Sequence, residues 1–289
     1  MYRLLTMLLL VSVNVMTYRE PATRHPQPRF VEPMSAGYIT TDPTTGLRTL
    51  AQGKYSRVEI PFIMVSRSRD TYNQIRTLLG SLPELDSNFF QQNAVVAAFL
   101  GQRFTGGESV EIVFDNKVRI MERAAAGANV TQQLTSPFAV VAIPVERQNP
   151  LVIEPDDIWM RAVTSYQATQ TRDTAPIGES KRDRSVNFTG RIDVIRYESV
   201  ATLFFHPISQ EKQLNNLLNG ALTVQVAQDG SFSASGSLTE FSGRQQHIAG
   251  KFRDNNTRLS IEISPSNADG LSNSEFRYLI EACIQQASH

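Results

Sequence analysis

A chain of 289 residues with 28 basic and 28 acidic side chains carries no net charge and has a single cysteine. That length accommodates two domains of about 100 residues each. The balanced charge argues against a nucleic-acid partner, which would call for a clustered basic excess, and one cysteine excludes an internal disulfide.

The first residues read as a targeting segment. Arg3 precedes an apolar run from Leu4 to Met16, broken by Thr6, Ser12 and Asn14. About 13 residues is shorter than the ~20 needed to cross a bilayer and suits the core of a signal peptide. Residues 1–24 are therefore expected to be a signal peptide or leader. The expected location is extracytoplasmic, periplasmic or secreted, with no stable membrane span in the mature chain. Residues 25–55, rich in Pro, Thr and Gly, read as an extended arm.

Order is expected from Ser56. Val58, Ile60 and Phe62 alternate, and Pro61 marks an edge strand or bulge because it cannot donate to a ladder. Ser68 or Asp70 can cap a helix whose apolar face is Tyr72, Ile75, Leu78 and Leu79, with Gly80 as its stop. The unbroken run Ala94–Leu100 predicts a central strand covered on both faces. Gly101–Gly107 forms a turn, and Val110, Ile112 and Phe114 alternate into Asp115-Asn116 and back out through Val118 and Ile120, a hairpin. Residues 124–133 read as a loop, and Phe138–Ile143 as the last strand of this domain, residues 56–165. Leu151–Tyr166 either covers the sheet edge or begins the exit.

Residues 166–187, dense in Thr, Ser and charge, read as a linker. The second domain, residues 188–289, shows strands at Ile192–Val194, Ala201–Phe205 and Leu222–Val226. Leu214, Leu217 and Leu218 mark a helical turn. A hairpin at Asp229-Gly230 leads into Phe232, and further strands at Gln246–Phe252 and Leu259–Ile263 flank a turn at Asn255-Asn256. Ser272 and Glu275 form a capping box, and Phe276, Leu279, Ile280 and Cys283 recur at helical spacing, which predicts a C-terminal helix with Cys283 facing the core. The expected class is α+β to mainly β: two small domains, each a mostly antiparallel sheet with one packed helix.

Little here carries chemistry. His25, His206, His247 and His289 are scattered, and neither a zinc-binding motif nor a nucleophile elbow is present. Asp156-Asp157, taken as strand residues, would point apart. The chain therefore reads as non-enzymatic, with no cofactor and no metal. A hydrolase reading would require a cleft gathering His206 or His247 with a carboxylate and a hydroxyl.

Four features taken together resemble the C-terminal domain family of PrcB. They are Ile63–Ser68 continuing through Tyr72 and Ile75; Phe89-Phe90 ahead of Val95–Leu100; Leu100-Gly101-Gln102-Arg103-Phe104-Thr105-Gly106-Gly107 followed by Val110-Glu111-Ile112; and Thr135-Ser136-Pro137-Phe138 leading into Val140–Pro144. The resemblance covers residues 56–145. It implies an exported accessory subunit that binds and stabilises an extracytoplasmic protein partner, a protease in the family's namesake. The partner-binding segment it implies is Phe104, Thr105, Gly106, Gly107 and Glu108. The family usually places an aromatic after the paired glycines, where this chain has Glu108. Paired glycines permit positive φ and close backbone approach; a tight strand-to-strand turn needs them as much as a binding loop does. A cell-envelope module for small ligands or polysaccharide, using Phe104 and Trp159, is the alternative reading.

Overall fold

A computed structural model describes residues 40–115, 117–124, 132–145, 151–173, 190–207, 220–236, 246–265 and 278–284. The expected leader, most of the arm, the helical turn at residues 214–218 and the capping box at residues 272–275 lie outside these residues.

The first half begins with strands β1 (Thr40–Thr41), β2 (Arg48–Gly53) and β3 (Phe62–Ser66), followed by helices α1 (Arg69–Leu79) and α2 (Phe89–Gln92). Strands β4 (Asn93–Phe99), β5 (Arg103–Thr105), β6 (Ser109–Phe114), β7 (Val118–Arg123), β8 (Gln132–Thr135), β9 (Phe138–Pro144) and β10 (Ile153–Pro155) precede the short helix α3 (Asp157–Met160). An antiparallel sheet runs β1-β2-β9-β4-β3; β10-β7-β6 forms a second sheet, with β10 parallel to β7, and β5-β8 forms a separate ribbon. Strand β4 is buried from Ala94 to Phe99 because β9 and β3 flank it and both its faces are covered.

Helix α1 follows the sequence signals. Ser68 accepts from the Thr71 amide, and Gly80, at φ 77°, returns its amide to the Arg76 carbonyl. Its inner face buries Tyr72 and Ile75. The preceding strand starts at Phe62 rather than at Val58. Pro61 has no amide to give, and the Val58 carbonyl is taken by the Ser136 hydroxyl at 2.6 Å rather than by a ladder.

The second half is a β-meander: β11 (Thr164–Asp173), β12 (Gly190–Tyr197), β13 (Val200–Pro207), β14 (Gly220–Gln225), β15 (Ser231–Gly236), β16 (Gln246–Arg253), β17 (Arg258–Pro265) and β18 (Tyr278–Ile284). Each pairs antiparallel with its neighbours, β18 returns to β11, and the β14–β15 seam is joined at its hairpin by the bridge Val226–Phe232. The sheet thus curls into an eight-stranded up-and-down barrel.

The lumen is filled by alternate residues of all eight strands, among them Tyr166, Ile192, Leu203, Leu222, Phe232, Ile248, Ile261 and Ile280. Outward positions of β16 and β17 include His247, Lys251, Arg258 and Glu262. On these two strands the pattern, apolar inside and polar outside, is the reverse of that in a lipid-facing barrel. Among the described residues, no helix is long and apolar enough to cross a membrane.

Three expectations change here. The arm expected at residues 25–55 contributes β1 and β2 to the first sheet, where β2 pairs with β9. The linker expected from residue 166 begins as a strand: β11 pairs with both β12 and β18, and Tyr166 enters the lumen. The C-terminal helix is replaced over Tyr278–Ile284 by β18, and Cys283 lies half-buried between the inward-facing Ala282 and Ile284. The stretch Ile280-Glu281-Ala282-Cys283-Ile284 fits a period of two as well as 3.6, and closing the barrel decides between them. A split into two domains is not seen, since Ile195, Phe204 and Ala221 on the barrel's outer wall belong to the same apolar core as the first sheet.

Candidate functional site

The chain leaves β4 through Gly101, whose φ of 72° bends it outward. A Cβ there would lie 2.6 Å from the Ile60 carbonyl carbon, so no other residue fits. The Leu100 amide then donates to Pro137 and the Gln102 amide to Glu59, each at 2.9 Å, which clamps the entry to β5. Alternation along β5 sends neighbouring side chains in opposite directions. Arg103 turns inward, with Nε 2.9 Å from Glu108 and 3.7 Å from Glu122. Phe104 turns outward and is 79% exposed.

Thr105 braces the ribbon. Its carbonyl accepts from the Thr135 hydroxyl at 3.0 Å, and its own hydroxyl donates to Glu108 at 2.8 Å. Gly106 is buried and Gly107 half-buried in the turn that follows. Neither has positive φ; the left-handed conformation the sequence suggested for the pair is found at Gly101 instead. Of the five residues the family pattern singles out, Phe104 faces solvent. Thr105 and Glu108 hold the turn, and Glu108 is tied to Arg103 where the family carries an aromatic.

Strand β8 lies alongside, with Arg103 opposite Thr135. It adds Leu134 at 46% exposure, and the segment clamped to Gln102 adds Ile60 at 41%. These three are the exposed large apolar side chains among the described residues. Sequence inspection reached Phe104 but neither Leu134 nor Ile60, because a single exposed apolar residue has no periodic signature. That Leu134 lies on the strand paired with that of Phe104 depends on a long-range pairing, β5 with β8.

A second constellation sits on the barrel wall. Asp193 is buried with its side chain 1% exposed, and its carboxylate lies 2.9 Å from Arg191, 3.1 Å from His206 Nε2 and 2.7 Å from the Ser165 hydroxyl. Burial pushes the carboxyl up. The hydrogen bonds from His206 and Ser165, with the charges of His206 and Arg191, outweigh that and hold it below the usual carboxylate range. This brings together the histidine, carboxylate and hydroxyl that a hydrolase would need, in an unsuitable order. Ser165 donates to the carboxylate rather than to the imidazole, so no base is aligned on the hydroxyl. The pocket beside His206, lined by Glu154, Phe204 and Gly220, measures about 90 Å³, well below the ~300 Å³ of a small-ligand site. His247 faces out from β16 and is exposed.

An open cleft of about 520 Å³ is lined by Glu122, Asp156, Asp157, Ile158 and Arg161. Asp156 and Asp157 begin α3 rather than lying on a strand, and Asp156 accepts the Glu122 amide at 3.1 Å. Among the described residues, no group of three His, Cys, Asp or Glu side chains is arranged to hold a metal. Trp159 is fully buried and donates its indole N–H to the Phe99 carbonyl at 2.8 Å. It anchors α3 beneath β4 and cannot stack on a sugar, which removes one of the two aromatics on which a polysaccharide site was expected to rest.

No family model matches the chain, and neither a curated protein nor a solved structure is found to be similar to it.

Proposed function

We propose that this chain is an exported, non-enzymatic accessory protein that binds and stabilises an extracytoplasmic protein partner through the β5–β8 ribbon. The observation that carries this reading is Phe104, 79% exposed on a ribbon whose other side is braced by Arg103, Thr105 and Glu108. A phenyl ring this exposed forgoes most of the about 1.5–3 kcal/mol that full burial would contribute. Held on a braced backbone, it is ready to enter a pocket at little entropic cost. Leu134, exposed on the paired strand β8, adds a second apolar side chain to the same ribbon. The resemblance to the PrcB family supports a co-exported protease as the partner.

The test is co-purification from the envelope fraction with the chain tagged at its C-terminus, together with the lifetime of the captured protein with and without the chain. One co-exported protein should be captured and protected, and Phe104→Ala should weaken capture by about tenfold or more, as loss of a central aromatic anchor does. Capture and protection unchanged in Phe104→Ala would overturn the reading.

A further inference from the structure

Strand β3 ends the five-stranded sheet and pairs with β4 on one side alone. Its other edge meets the outer wall of the barrel, crossing β12, β13 and β14 in turn. The Tyr197 ring packs tilted against Phe62, centroids 5.7 Å apart, Thr202 donates to the Ile63 carbonyl at 2.6 Å, and the Val65 amide donates to Thr223 at 2.7 Å. The Thr202 and Thr223 hydroxyls are themselves 2.7 Å apart, and both residues are buried.

The direction of every proton follows. Thr202 has one hydrogen and gives it to Ile63, so Thr223 must donate to Thr202, and Thr223 in turn accepts from Val65. Val65 N–H, Thr223, Thr202 and the Ile63 carbonyl form one relay with no donor left over. This is unusual cover for a sheet edge. No strand is added; two threonines on neighbouring barrel strands supply one acceptor and one donor where a partner strand would supply its carbonyl and amide.

We propose that the outer wall of the barrel is an edge guard, which occupies the free edge of β3 and so prevents the sheet from extending by pairing with a second copy of this chain. The partner is set by the edge itself. β3 pairs antiparallel with β4 over its whole length, and Phe62–Val65 is an apolar run with no charge and no proline. An uncovered edge of that kind templates its own sequence. Short edge strands are normally defended by charge or proline. Here neither lies within β3, and the defence is built on residues 158 and 139 positions away in the chain.

The test is made on the full chain. Thr202→Val/Thr223→Val preserves shape but removes both hydroxyls. The Val65 amide should then exchange with solvent at least ~100-fold faster, while Val96 in β4 is unchanged. The variant should also self-associate with rising concentration in light scattering. Thr202→Ser/Thr223→Ser, which keeps the hydroxyls, should remain monomeric. So should Leu203→Ala, which damages the barrel lumen without touching the edge. A double-valine variant that is monomeric at every concentration overturns the proposal, as does equal self-association in Leu203→Ala.

Discussion

Asp193 shows how one buried carboxylate is made tolerable. A charge with its side chain 1% exposed would ordinarily be neutralised, yet Arg191 meets it from two residues back on the same strand, and His206 on β13 and Ser165 on β11 meet it from the strands on either side. Because the folded-state pKa is depressed, the carboxylate contributes stability above its unfolded value of about 3.9 and loses it as pH falls through the lower folded value. Asp193→Asn keeps the shape but removes the charge, and should cost about 2 kcal/mol at pH 7. The difference between wild type and variant should shrink below pH ~4 and vanish once both are uncharged at that site. Urea titrations at pH 7, 5 and 3 would show it; a gap that stays constant across that range would mean that folding leaves the carboxylate's pKa unshifted. Asp193 escaped sequence inspection because a single acidic residue inside an apolar strand looks like an interruption. Its partners come from three strands and are brought together by register alone.

At the scale of the element, legibility tracked how local the determining interaction is. Helix α1 was readable because its cap, its apolar stripe and its terminating glycine all lie within residues 68–80. So were the turns, since Gly230 at φ 83° and Asn255 and Asn256 at φ 56° and 65° occupy the left-handed conformations their residue types favour. Strand β18 was misread as helix because its identity depends on β11 and β17, and β11 as linker because its partner β18 lies more than 100 residues away. The barrel was hidden for the same reason, since a closed meander differs from an open one only in its last pairing. The lumen itself carries a sharper test. Phe232 is paired opposite Gly250, and a Cβ at Gly250 would sit 2.3 Å from its ring and 2.7 Å from the Ser260 carbonyl oxygen. Gly250→Ala must therefore move both a core aromatic and a backbone, and should destabilise the barrel by about 2–3 kcal/mol. Ala249→Ser, one residue along and facing outward, should change stability by less than ~0.5 kcal/mol. Equal effects at the two positions in thermal unfolding would mean that Phe232 does not lie over Gly250.

Across the whole molecule, sheet and barrel are expected to unfold together. Their interface joins Ile195, Phe204 and Ala221 to the core of the first sheet and seals the edge of β3, so neither half can open without exposing apolar surface and stranding backbone groups. Trp159, the sole tryptophan, reports on the first half alone from its site under β4, whereas far-ultraviolet circular dichroism reports on the strands of both. In urea the two signals should share one midpoint. Phe204 is outward-facing on β13 and buried in the shared core, so Phe204→Asp places an unpaired charge in the interface while leaving the lumen residues Leu203 and Phe205 in place. In that variant the tryptophan midpoint should fall below the dichroism midpoint, or the dichroism curve should split in two, as the barrel comes to stand on its own core. Coincident curves in both proteins would mean that a path other than this interface couples the two halves. Two separate midpoints already in the wild type would mean that the shared core is too weak to couple them.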